Sequence, residues 1–213
     1  MPDEHSERAK RRVGALYSWA ADRVYDRVVV NGAFKVFGGN LNELVREQGR
    51  RALDVAAGRP ILDMPVGTAY FATDVARSYE GVVVGVDIAA GMVREAHRVA
   101  RAAGASLEVV QGDAHALPFA DATFGAILCS NGLQVIPGLE PSVRELARVL
   151  GDNGTLFVSV ITLPAPVPKD MRSHLPTMMR PGEDVTDALE AAGLRARITQ
   201  KERLATLIEA SKP

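Results

Sequence analysis

Between Pro60 and Ile161, short apolar runs alternate with stretches in which apolar residues recur every three or four positions. Short unbroken apolar runs mark strands buried on both faces, and the three-to-four spacing marks helices with one apolar stripe. The pattern predicts strands over 61–64, 82–86, 107–111, 126–130 and 155–161, and helices over 68–78, 89–103 and 141–150. Pro141 suits a first helical position, and Gly151-Asp152-Asn153-Gly154 predicts a turn into the fifth strand. Such alternation predicts a parallel sheet covered by helices on both faces.

The flanks read differently. Over 6–30, Val13, Leu16, Tyr17, Ala20, Val24 and Val28 make one helical stripe, which Asn31-Gly32 ends. Asn40 with Glu43 has the spacing of a capping box before a second helix, stopped by Gly58 and Pro60. Neither helix has a partner strand, so both are expected as a lid or flank. Residues 163–181 are rich in proline, carry Met171, Met178 and Met179, and lack a period; a loop or short irregular helices is expected there. A helix over 183–192 and strands over 194–200 and 204–210 then predict a closing antiparallel pair. The expected division is a helical lid or flank over 1–58 and a cofactor-binding domain over 59–213, with 162–182 as a substrate-side loop.

Composition narrows the function. A hydrophobic share of 47% and a charged share of 24% are those of a globular protein. The net charge of -1 offers no footprint for nucleic acid, and acids at Asp3, Glu4 and Glu7 dilute the single basic cluster at Arg8 to Arg12. One cysteine, Cys129, excludes an internal disulfide, and with four scattered histidines it gives no metal-ligand spacing. No run approaches the roughly 18 residues of a membrane span, and no signal peptide precedes the first helix. The expectation is a cytoplasmic protein without stable membrane insertion; homo-oligomerisation is left open.

Candidate chemistry gathers at the strand ends. Ile61-Leu62-Asp63 leads into Met64-Pro65-Val66-Gly67-Thr68, a strand delivering a small-residue turn to a helix start, as cofactor loops do. Asp87 closes the second strand, where an acid can accept from ribose hydroxyls or hold the start of the next helix. Gly112-Asp113-Ala114 closes the third, offering a carboxylate to an exocyclic amine and a backbone amide to a ring nitrogen. Parallel strands bind ligands beyond their carboxyl ends, so Asp63, Asp87 and Asp113 should converge. The turn itself admits a dinucleotide or another adenosyl cofactor.

Four blocks together resemble the class I S-adenosylmethionine-dependent methyltransferases, especially the small-molecule ubiquinone and menaquinone group: Ile61 to Ala69; Gly85-Val86-Asp87-Ile88-Ala89-Ala90-Gly91-Met92; Gly112 to Phe119 with Phe124; and Arg144 to Leu150 with Gly154. The resemblance implies a doubly wound, mostly parallel seven-stranded α/β sheet of Rossmann-like type with an antiparallel final strand and N-terminal helices. It implies S-adenosylmethionine as cofactor and methyl transfer to a small, apolar or aromatic metabolite. Asp63, Pro65 and Gly67 would lie along its methionine part and Asp87 on its ribose. Ile88, Met92, Asp113 and Ala114 would surround adenine, and Ser130 with Asn131 would line the junction with the acceptor. Pro65 and Ala69 stand where the family usually has glycine, and Gly125 where it usually has aspartate. The Ala69 β-carbon is expected to crowd the cofactor end of the turn.

A methyl sulfonium is already activated, so a general base is optional. His115 and His174 are the candidates for an oxygen acceptor. Tyr17 and Tyr25 on the first helix, with Asn131 and Gln134 after the fourth strand, are the expected acceptor contacts. The alternatives are a nicotinamide oxidoreductase, disfavoured by the missing G-x-G-x-x-G, and a methyltransferase-like protein that binds, assembles or catalyses without methylating.

Overall fold

The structure, a computed structural model, describes residues 40–162, 166, 168–174 and 177–212. The stripe expected over 6–30 lies outside them. Helix α1 (Leu41–Ala56) buries Leu41, Val45, Ala52 and Ala56 on the sheet. The expected capping box does not form: Asn40 makes no side-chain cap, its carbonyl accepts from Glu43 and Leu44, and its amide donates to Glu202 Oε1 at 2.9 Å. The Asn40 backbone is held by the far end of the chain.

The elements that follow are β1 (Ile61–Asp63), α2 (Ala72–Ser78), β2 (Val83–Asp87), α3 (Ala90–Ala102), β3 (Leu107–Gln111), β4 (Phe124–Ser130), α4 (Leu139–Val149) and β5 (Leu150–Ile161). Two 3-10 turns, Lys169–His174 and Thr177–Met179, occupy the aperiodic stretch. The chain closes with α5 (Gly182–Ala191), β6 (Arg195–Glu202) and β7 (Ala205–Ser211). The strands form one seven-stranded sheet in the order β3-β2-β1-β4-β5-β7-β6. β1 to β5 pair in parallel, and β7 lies antiparallel between β5 and β6.

Alternation along the strands splits the core in two. Ile61, Val83, Ala126, Leu128 and Phe157 pack with Ala52 and Ala56 of α1 and Val75 and Ala76 of α2. Leu62, Val84, Ile127, Leu156 and Val158 pack with Val143 and Leu146 of α4 and Val185 and Leu189 of α5. The carboxylate of buried Glu209 on β7 accepts from Arg51 of α1 and Arg197 of β6, which ties α1 to the antiparallel pair at the sheet edge.

Two predicted boundaries move for physical reasons. The helix expected from Thr68 starts at Ala72, because Gly67 and Ala69 have left-handed φ of 52° and 62° and coil the chain into a turn first. The fifth strand begins at Leu150, which pairs with Phe124; the register then jumps to Ala126 opposite Thr155, so 151–154 bulge out rather than precede the strand.

Candidate active site

β1 and β4 are neighbours, but their chains leave in opposite directions, to β2 on one side and β5 on the other. At such a reversal the connecting segments part and leave a crevice beyond the strand ends. Here it forms a cleft of about 1040 Å³, counting its open mouth, walled by the turns after β1, β2, β3 and β4.

Asp63 brings the first carboxyl to this cleft. It is 3% exposed, and its Oδ1 has no hydrogen-bond partner among the described residues. Burial, with the Asp87 carboxylate as the smaller cause, pushes its carboxyl up to about 8. An unpartnered buried oxygen carries a standing free-energy cost, which a ligand donor or cation would remove.

The turn after β1 is pinned from below. Val66 N–H donates to Val86 O at 2.8 Å, and Gly67 N–H donates to Asp87 Oδ2 at 3.0 Å. A β-carbon at Gly67 would meet nothing within 4 Å, so the turn leaves an open cradle over the cleft. Asp87 Oδ1 accepts from Ala89 N–H at 2.8 Å, immediately before α3. Each Asp87 oxygen keeps a lone pair for a hydroxyl donor, so holding the turn and binding a ribose are compatible. Burial raises the Asp87 carboxyl, opposed by the amides of Ala89, Gly67 and Ile88.

Residues 61–154 match the protein family described as "Methyltransferase domain". The match runs from the start of β1 into the bulge of β5. The chain is also 31% identical over 159 residues to a demethylmenaquinone methyltransferase of Corynebacterium kroppenstedtii, covering 74% of this chain and 63% of the relative. A protein of the same description from Thermus thermophilus is 38% identical over 113 residues, 51% of each chain. The chain thus spans less than two thirds of the length of these relatives. A solved S-adenosylmethionine-dependent methyltransferase from Aquifex aeolicus superposes with a TM-score of 0.65 at 18% identity, over 80% of this chain and 95% of that one. The fold is the Rossmann-like methyltransferase fold expected from the sequence.

The fold brings Asp63, Pro65, Gly67, Asp87, Ile88, Met92, Asp113, Ala114, His115, Ser130 and Asn131 to one cleft. Ala69 is not in its lining. The Ala69 methyl is fully buried and packs with Val66, Ala72 and Ala96, turned into the core rather than toward the cofactor side, contrary to expectation. Ala69→Gly is therefore expected to leave adenosyl-ligand affinity within about twofold, since loss of one buried methyl offsets relief of the left-handed backbone; a tenfold change on calorimetric titration would show that the methyl reaches the ligand.

Asn131 ends β4 in a left-handed conformation with φ of 55°, its N–H bonded to Ser159 O at 2.8 Å. Both polar atoms of its side-chain amide are buried without a partner among the described residues. Gln134 turns away: its Oε1 accepts from Ile161 N–H at 3.4 Å, at the end of β5, and it is absent from the cleft lining. Tyr17 and Tyr25 lie outside the described residues, as does the side chain of His174 at the end of a 3-10 turn. Met171, Met178 and Met179 are exposed and do not line the cleft. His115 does line it, but its ring is committed on both sides: Nδ1 lies 2.7 Å from Asp113 Oδ1 and Nε2 2.7 Å from Pro137 O.

Thr68 lies in the cleft lining with the rest of the expected loop, whereas no role was expected from the Tyr70 and Phe71 side chains beside it or from Val135, Ile136 and Pro137 after β4, which also line the cleft. Tyr70 and Phe71 stack edge-on with centroids 5.0 Å apart. An aromatic pair directly after a glycine turn was the available signal. Reading it as helix hid it.

Proposed function

We propose that this chain binds S-adenosylmethionine in the β1–β4 cleft and promotes transfer of its methyl group to a small, apolar or aromatic acceptor of the kind named for its relatives, demethylmenaquinone. The observation that carries the reading is the unpartnered, buried carboxyl of Asp63 beside the open Gly67 cradle. A sulfonium cofactor supplies a methyl group already activated for attack.

Asp63 and the Gly67 turn would hold the methionine part, Asp87 the ribose, and Ile88, Met92 and the Asp113-Ala114 turn the adenine. Tyr70, Phe71, Val135 and Ile136 offer the acceptor an apolar wall that excludes water. Ser130 and Asn131 sit between the two halves, and the unpartnered Asn131 amide can donate to and accept from a hydroxyl or carbonyl on the acceptor ring. With both His115 nitrogens engaged, orientation and desolvation do the chemical work rather than a base. The buried Cys129 thiol, pushed up to about 12 by burial, takes no nucleophilic part. We place the protein in the cytoplasm on its single, inert thiol. No described helix is long and apolar enough to cross a membrane.

Incubation with methyl-labelled S-adenosylmethionine and a short-chain 2-prenyl-1,4-naphthoquinol, or with a metabolite extract, tests the reading. Label in an organic-extractable product supports it. Adenosyl binding without transfer to any acceptor would replace it with a non-methylating use of the cofactor.

A further inference from the structure

His115 sits where two walls of the cleft meet. Asp113 and His115 belong to the turn after β3, on the side assigned to adenine, while Pro137 and Gly138 belong to the segment after β4 that carries the acceptor wall. The His115 side chain is 12% exposed and spans the gap, with Nδ1 at 2.7 Å from Asp113 Oδ1 and Nε2 at 2.7 Å from Pro137 O. Ser142 Oγ, on α4, lies 3.3 Å from the same Nε2 while it donates to Gly138 O at 2.8 Å. The hydroxyl proton is thereby used, so Ser142 can only accept from the ring.

These partners set the proton count. A carbonyl and an ionised carboxylate accept and never donate, whereas a neutral imidazole carries one N–H. A neutral ring between them completes one bond and sets a lone pair against an acceptor at the other. Both bonds are complete when both ring nitrogens carry protons, and the ionised Asp113 then faces an imidazolium. No second charged group joins the ring among its described hydrogen bonds. On α4, Glu140 is paired with Arg180, and Glu145 takes Leu117 N–H and Arg148. Gly138, left-handed at φ of 80°, follows the clasped carbonyl; a β-carbon there would stand 3.4 Å from Nε2, so the ring is seated against bare backbone.

We propose that His115 is a proton-dependent clasp: the doubly protonated ring fastens the acceptor wall, through Pro137, to the adenine-side turn, through Asp113, and loss of one ring proton releases that wall. His115 is then a positioning residue that governs how tightly the cleft closes over its ligands, and it acts before and after transfer rather than during it. The inference rests on the reading of this cleft as the cofactor site only for its functional consequence, since the clasp itself is a property of the unliganded chain.

The test uses the full chain. Nitrogen-15 chemical shifts of the His115 ring, followed from pH 5 to 9 without ligand, report its proton count, and hydrogen exchange at the amides of Val135, Ile136 and Gly138 reports the segment 135–138, in which Pro137 has no amide hydrogen. The expected result is protonation of both nitrogens at the acid end and protection factors of 135–138 that fall at least fivefold in step with loss of one ring proton. His115→Gln, which offers a single amide donor group at every pH, removes that step; His115→Phe leaves 135–138 unprotected throughout. In the ligand arm, S-adenosylhomocysteine dissociates at least fivefold faster from His115→Phe than from wild type at pH 6. Protection of 135–138 that is indifferent to ring protonation, or unchanged in both variants, overturns the clasp. Coupled exchange together with no binding of S-adenosylhomocysteine upholds the clasp and overturns the cofactor reading.

Discussion

Replacing Gly132 with alanine is expected to lower the unfolding temperature by about 6–12 °C, the shift that roughly 3 kcal/mol produces in a chain of this size. A β-carbon at Gly132 would lie 2.0 Å from Pro65 Cδ, 2.7 Å from Pro65 Cγ and 3.3 Å from Cys129 Sγ. A proline ring cannot swing aside as a long side chain does, so the turn after β1 and the segment after β4 must separate. Those two pieces of backbone carry Asp63, Gly67 and Asn131 around the cleft, and adenosyl binding should weaken with stability. The double variant Pro65→Ala, Gly132→Ala removes the ring atoms that clash and should recover at least half of the lost stability, a coupling expected of residues in direct contact. Thermal unfolding of the four proteins checks this. A Gly132→Ala protein as stable as wild type would contradict the packing of the two turns. The comparison also gives Pro65 a role: it fills the space that bare Gly132 leaves.

Asp63→Asn is expected to act in opposite directions on stability and binding. In the folded protein the carboxyl is raised from the ordinary 3.8 to about 8, so the native state holds a proton that the unfolded chain releases. That contribution is fully present below about pH 4, declines as pH rises, and is gone above about 8, where the buried carboxylate stands ionised and unpartnered. Asparagine does not titrate, so the variant should gain stability relative to wild type from pH 4 upward and hold the full gain above about 8. Binding should move the other way. A cationic ligand selects the ionised Asp63, so wild-type affinity for S-adenosylmethionine should rise with pH up to about 8 and then level, with proton release near neutrality. Loss of the charged partner should weaken affinity by roughly 10- to 100-fold, as about 1.5–3 kcal/mol for a charge-assisted bond implies. Chemical denaturation across pH, and calorimetry in buffers of different ionisation enthalpy, measure the two effects. A variant with unchanged affinity and no altered pH slope would remove Asp63 from the site.

The strands and their order of chemistry were legible because β1, β2 and β4, buried along nearly their whole length, are written as apolar runs, and each of the first three strands ends in or just before an acid: Asp63, Asp87 and Asp113. Convergence of the three followed from topology alone. What failed to show depends on contacts between distant residues. Asn40 loses its expected cap to Glu202, a residue 162 positions away. Gln134 follows the right strand but is drawn to the end of β5, so proximity in sequence misplaced it. Tyr70 and Phe71 were hidden by a turn that propensity reads as helix, since nothing local announces that alanine at position 69 takes a left-handed conformation. The same turn carried the expectation that the Ala69 methyl would crowd the cofactor. The direction of one Cβ, set by the core residues Val66, Ala72 and Ala96, decides otherwise. His115 was recognisable as titratable in the sequence, but its second partner, the Pro137 carbonyl, is a backbone atom that no residue pattern specifies.

Titration calorimetry of the purified chain with S-adenosylhomocysteine and, separately, with NAD decides which adenosyl ligand the cleft takes. Saturable binding of S-adenosylhomocysteine at one site per chain is expected, with no detectable binding of NAD at the same concentrations. Binding of NAD in its place, or of neither, would contradict the assignment of the cleft between β1 and β4 to an adenosyl sulfonium cofactor.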